Sequence, residues 1–285
     1  MPMMRFVLLL TLVLGICPIA YAQDEAMQKA QCYIRAYPEF FRGYDDGYLI
    51  ASDGSRILFD DHASPKDCWK MVTDKRVGDS AFDPEDAFFW DYDAGDELPT
   101  AQSPPEGDPG RIRPAEVFKF MYGKSKEQRR SRMRPVRWVG GKGIDNDTIL
   151  VTTVNGVDKA IENIAEELRN LPEEKKLLLK GIVFDVDGFS GYHERQVRDY
   201  PKRTSAHAYG IAVDVNHDES YFIGRHRGKP YTYRNNMPHF LVDIFERHGF
   251  IWGGRWQSYD IMHFEYRPEL MLDKGKGPAD IAQKF

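Results

Sequence analysis

Two stretches of the chain concentrate side chains able to bind metal and move protons. One is Ser205-Ala206-His207-Ala208-Tyr209-Gly210-Ile211-Ala212-Val213-Asp214; the other runs from Trp252-Gly253-Gly254-Arg255-Trp256 into Asp260-Ile261-Met262-His263-Phe264-Glu265. Imidazole and carboxylate together suit a divalent transition metal, and a further carboxylate beside it can take a proton from water. A lone His with a nearby Asp carries little weight, because histidines find carboxylate partners in any fold. Two such segments in one chain weigh more.

Strand alternation from Ile211 puts Ile211, Val213 and Val215 on one face and Ala212, Asp214 and Asn216 on the other. The first face is expected to pack and the second to open on a cavity. On a continuous strand His207 would be out of phase with Asp214, and Gly210 is where the chain can turn to bring both inward. In the second segment His263 shares a face with Ile261 and Glu265, so Asp260 must precede the strand or sit at a bulge. If the strand is regular, Glu265 is the carboxylate nearest His263, which keeps it as the reserve candidate for a base.

Taken together, SAHAYGIAVD matches the S-x-H-x-x-G-x-A-x-D signature of zinc D-Ala-D-Ala carboxypeptidases, and WGGRWQSYDIMHFE resembles their W-G-G-x-W…D-x-M-H-F-E segment. The chain is therefore similar to that family, within the wider lysostaphin, D-Ala-D-Ala metallopeptidase and hedgehog fold group. The resemblance implies that His207, Asp214 and His263 bind one Zn²⁺ and leave the fourth position to water, as a catalytic site requires. It implies that Asp260 is the acid/base group, where many members carry Glu. Arg195, after GFSGYHER, stands where relatives carry an Arg that binds a substrate carbonyl or carboxylate through its guanidinium fork. Arg203 is the alternative, and nothing fixes the direction of His193. Ser205 is expected to hydrogen-bond substrate; Tyr209, Trp252 and Trp256 either wall the cleft or pack in the core.

The implied reaction is metal-assisted amide hydrolysis of peptidoglycan stem peptides. Release of terminal D-Ala comes first, with L-Ala-D-Glu or cross-link endopeptidase cleavage behind it. A zinc-containing protein that recognises cell-wall peptide without cutting it is the rival reading on the same scaffold.

The elements that position these residues read as mixed α and β. Tyr48-Leu49-Ile50 and Ile57-Leu58-Phe59 flank the turn formers Ser52-Asp53-Gly54, a hairpin pattern. Ile149 to Val154 reads as a strand, and Val157, Ile161, Ile164, Ala165 and Leu168 recur at helical spacing before Pro172. Ile182-Val183-Phe184 reads as another short strand, and Pro238 opens an amphipathic helix closed by Gly249. LPTAQSPPEGDPGRIRP is dense in Pro and Gly and reads as a connection or an extended arm. The expected fold class is α+β, a small antiparallel sheet flanked by helices, with an N-terminal region that packs on it or extends it.

At the start of the chain, Arg5, the apolar run FVLLLTLVLGICPIA and Ala20-Tyr21-Ala22 read as a signal peptide cleaved near Ala22; the run is short for a membrane span. A periplasmic or secreted product without stable membrane insertion follows. The resulting division is residues 1–22 as signal peptide, 23–114 as the N-terminal region, 115–273 as the zinc peptidase domain and 274–285 as a tail. Cleavage leaves Cys32 and Cys68, which in an oxidising compartment are expected to pair. With a net charge of −5 and no long basic run, the footprint of a nucleic-acid binder is missing. The clustered acids Asp60, Asp61, Asp91, Asp93 and Asp96 show no EF-hand spacing and read as solvated surface.

Overall fold

A computed structural model describes residues 18–63, 67–139, 148–184, 190–198, 200–215 and 232–272. The apolar signal run through residue 17, Asn216 and the expected tail lie outside the described residues.

Helix α1 (Pro18–Ala36) buries Ala26, Ala30 and Tyr33, with Tyr37 continuing the stripe just beyond its end; this is the spacing of one helix face. Strands β1 (Phe41–Asp45), β2 (Tyr48–Ala51) and β3 (Arg56–Leu58) form an antiparallel meander. Asp46 and Gly47 at its first turn both take positive φ, as a two-residue hairpin requires. The expected hairpin is the β2–β3 pair, and β1 is a third strand that the alternation did not show. Helix α2 (Cys68–Thr73) follows, capped by the Asp67 side chain accepting from Lys70 N.

The arm leads to helix α3 (Ala115–Tyr122) and helix α4 (Lys126–Ser131), which starts with a reciprocal Ser125/Gln128 capping box. Strands β4 (Met133–Arg137) and β5 (Thr148–Thr152) pair antiparallel and carry helix α5 (Val157–Arg169), whose five expected apolar positions are all buried. Helix α6 (Glu173–Leu178) comes next. The expected strand at Ile182-Val183-Phe184 is instead a turn: Gly181 takes φ 79°, and only a single bridge joins Lys180 to Phe184. A chain reversing at Gly181 cannot run on as a ladder.

Strands β6 (Gln196–Val197) and β7 (Tyr200–Thr204) form a ribbon that feeds the one-turn helix α7 (Ala206–Tyr209) and strand β8 (Ala212–Asp214). Helix α8 (His239–Arg247) and strands β9 (Phe250–Trp252) and β10 (His263–Tyr266) complete the described chain. These last strands make an antiparallel sheet in the order β8-β10-β9. The architecture is α+β, helices with small antiparallel sheets.

Alternation along β10 sends Phe264 to one face, stacked on Phe245 of α8 at 3.9 Å, and His263 and Glu265 to the other. The N-terminal elements share one hydrophobic core with this sheet, from Tyr33 and Phe59 through Phe118 to Phe264. Removing one such aromatic side chain costs about 3–5 kcal/mol. A buried ionic chain ties the parts further: Arg113 pairs with Glu265, Arg267 pairs with Glu265 and Glu269, and Tyr37 donates to Glu269.

No disulfide joins Cys32 to Cys68, which corrects the expected bridge. Both thiols are buried in separate settings. Cys32 Sγ donates to the carbonyls of Gln28 and Leu272, and Cys68 Sγ lies 3.9 Å from Asp86 Oδ1. Among the described residues no helix is long and apolar enough to cross a membrane.

Candidate metal centre

Gly210 sets the position of the first imidazole. It takes φ 72° and caps α7, so His207 sits on a helical turn rather than on a strand in antiphase with Asp214. A Cβ at Gly210 would meet Met133 Sδ at 2.5 Å and Thr152 N at 2.9 Å, so glycine is required by space as well as by φ. Past that turn β8 begins, and His263 of β10 is the direct cross-strand partner of Asp214. Asp260 precedes β10 in a turn closed by His263 N donating to the Asp260 carbonyl at 3.0 Å.

The ligand atoms of His207, Asp214 and His263 all lie within 4.8 Å of one another. Asp214 Oδ1 is 3.1 Å from His207 Nε2 and 2.9 Å from His263 Nδ1, while its Oδ2 accepts from Ser190 Oγ at 3.1 Å. Each imidazole uses its other nitrogen on a fixed partner. His207 Nδ1 is 2.7 Å from the Gly191 carbonyl, and His263 Nε2 is 3.4 Å from Glu265 Oε2. Such contacts fix tautomer and ring orientation in metal sites, leaving Nε2 of His207 and Nδ1 of His263 to face Asp214.

Burial works against the charge of Asp214, yet the two imidazoles hold its carboxyl well below the usual range. Burial likewise opposes a charged His263, but hydrogen bonds to Asp214 and Glu265 push it up to about 9. For Asp260, burial pushes the carboxyl up against the pull of His263. Burial would raise Glu265 too; instead the guanidinium of Arg113 holds it far below the carboxylate range. Glu265 is thus an ion-paired neighbour of His263, with both oxygens already occupied. The donor set fits zinc: two imidazole nitrogens and one carboxylate oxygen is a catalytic-type ligand set, and each ligand has an orienting partner.

A cleft of about 300 Å³ opens over these groups, lined also by Asp260, Ser205, His193 and Arg195. Arg195 is 41% exposed and its Nη2 lies 3.9 Å from Asp214 Oδ2. The alternative, Arg203, is spent elsewhere, donating to the carbonyls of Met71, Val72, Asp74 and Val77. Of the four residues considered for substrate contact, Ser205 alone lines the cleft. Tyr209 packs between Phe118 and Tyr122, and Trp252 is fully buried with its Nε1 on the Ile261 carbonyl. Trp256 is buried behind His263, 5.6 Å between ring centres.

The sequence reading missed Ser190, Arg111 and Arg113 as cleft residues. The two arginines belong to the DPGRIR piece of the arm, whose Pro and Gly content signalled a connection and nothing about where it lands.

Residues 199–266 match the model of a family described as D-alanyl-D-alanine carboxypeptidase. The matched span runs from the β6–β7 ribbon to the end of β10 and contains all three converging side chains and Asp260. It supports a peptidase of that kind. Comparisons with curated proteins and with solved structures returned no match.

Proposed function

We propose that this chain is an exported zinc metallopeptidase that removes the terminal D-Ala from peptidoglycan stem peptides. The observation that carries the reading is the convergence of His207, Asp214 and His263 in one cleft with Asp260, inside the span that matches the carboxypeptidase family. His207 Nε2, Asp214 Oδ1 and His263 Nδ1 would hold the metal. When bound, zinc supplies Lewis acidity toward water and the scissile carbonyl. Asp260 takes the proton of the attacking water and returns it to the leaving amine, a role that a carboxyl raised by burial suits. Arg195 and Ser205 orient the peptide from the cleft wall. The leader before Ala22 places the product in the periplasm or outside the cell, with stem peptide as the partner.

The test is incubation of purified, zinc-loaded protein with pentapeptide muropeptides, followed by mass spectrometry. Loss of one alanine is expected. A larger fragment would replace the carboxypeptidase reading with an endopeptidase, and unchanged mass across all muropeptides would leave a binding protein.

A further inference from the structure

Arg111 reaches the cleft from the arm together with Arg113, far in sequence from the other residues that line it. Its Nε donates to Ser258 Oγ at 3.0 Å and its Nη2 to the Ser258 carbonyl at 2.6 Å. The guanidinium lies over the Trp256 indole, 4.5 Å from the ring centre. Ser258 is held in turn by Asp108, whose Oδ1 accepts from Ser258 N at 2.8 Å and Ser258 Oγ at 2.7 Å. Gln257 N donates to the Gly107 carbonyl at 2.6 Å. Gly110 presses on the same indole so closely that a Cβ there would come within 2.1 Å of Trp256 Cζ2. The arm and the turn carrying Asp260 are thereby clamped together, and Arg111 is fixed in one pose.

That pose leaves donors to spare. A guanidinium has five N–H groups, and Nη1 of Arg111 has no acceptor among the described residues. Arg111 lines the same cleft as Asp260, and Asp260 is the carboxylate that acts on it most strongly. Arg195 lies beside Asp214, its Nη2 3.9 Å from Oδ2.

Resting on the proposed reaction, the geometry gives the two cations different tasks. Asp260 must reach the leaving nitrogen to return its proton, so the departing residue lies on the Asp260 side of the metal ligands. In a carboxypeptidase substrate that residue carries its free α-carboxylate only two bonds from the nitrogen. We propose that Arg111 binds the terminal carboxylate of the substrate and so selects chain ends over internal bonds. Its orientation by Ser258 and Trp256 before substrate arrives lowers the entropy lost on binding.

Equilibrium binding tests this apart from turnover. Zinc-loaded protein is titrated calorimetrically with an uncleavable stem-peptide analogue, its scissile amide replaced by ketomethylene, as the free acid and as the C-terminal amide. The parent is expected to favour the acid by about 30-fold or more, the loss typical of removing one partner of a buried charged pair. In Arg111→Gln the preference should collapse through weaker binding of the acid alone, and Arg111→Lys should restore part of it. Ser258→Ala, which frees the guanidinium without removing it, should give an intermediate preference. Equal binding of acid and amide by the parent overturns the proposal, as does a preference that survives in Arg111→Gln or an equal loss on both ligands. The muropeptide assay on the parent independently decides whether the peptidase reading stands.

Discussion

Arg113 donates to both carboxylate oxygens of Glu265, at 2.9 and 3.1 Å from Nε and 2.6 Å from Nη2, and Glu265 faces His263 Nε2 at 3.4 Å. A residue of the arm therefore supports a candidate metal ligand through one intermediary. Arg113→Met should destabilise the protein by about 3–5 kcal/mol, because it removes the closest partner of a fully buried carboxylate and leaves only the 3.4 Å contacts to Arg267 and His263. Chemical denaturation of parent and variant measures this; a change below about 1 kcal/mol, the range of an exposed ion pair, would show that Arg267 and His263 suffice for Glu265. Glu265→Gln should lower zinc affinity about 10–100-fold through the orientation of His263, read by competition with a chromogenic chelator.

His207→Ala and His263→Ala should each empty the metal site, and the double variant should purify without stoichiometric zinc. Elemental analysis decides. Full occupancy in the double variant would remove the ligand assignment.

Asp260→Asn should retain zinc and lose turnover by about 10²–10⁴-fold, the usual contribution of a positioned acid/base group. Zinc content and muropeptide kinetics on one preparation separate the two effects. Activity surviving in Asp260→Asn but lost in Glu265→Gln would move the role to Glu265, against its ion pairing.

Asp79 offers a pH test away from the metal. Burial raises its carboxyl to about 6, although it accepts from Thr204 N at 2.6 Å. Below about pH 4 the group is protonated in both folded and unfolded chains and has no effect on stability. As pH rises toward about 6 the unfolded chain ionises first, so stability falls by about 3 kcal/mol and then levels off. Asp79→Asn keeps an oxygen acceptor and removes that dependence. Urea denaturation from pH 4 to pH 8 should show the variant gaining on the parent as pH rises; parallel curves would contradict the shift.

The convergence of His207, Asp214 and His263 was expected from the resemblance carried by the two segments taken together, where local rules alone left it open. Strand periodicity put Asp214 and His263 on defined faces but His207 out of phase, and Gly210 marked where the chain could turn to bring it inward. The acid/base role of Asp260 was likewise implied by the resemblance; strand phase alone required only that it precede β10 or bulge out of it. The aromatic residues were not legible: Tyr209 and Trp252 have the composition of a cleft wall, and only three-dimensional packing shows them facing the core. Arg111 was hidden for another reason, because its partners Trp256 and Ser258 lie across the chain and the arm has no periodicity to set its direction. The Cys32–Cys68 expectation rested on counting thiols, and the fold places the two in separate buried settings without a bridge. Alkylation of the unfolded, unreduced protein should accordingly modify both cysteines.

The mutual grip of residues 107–111 and 256–258 also bears on order of assembly. Neither stretch has a helix or strand of its own, and the two are joined by hydrogen bonds from Gln257 N to Gly107 and from Ser258 to Asp108. The proposed cleft is therefore complete only once a stretch from the first half of the chain and one from its last third have met.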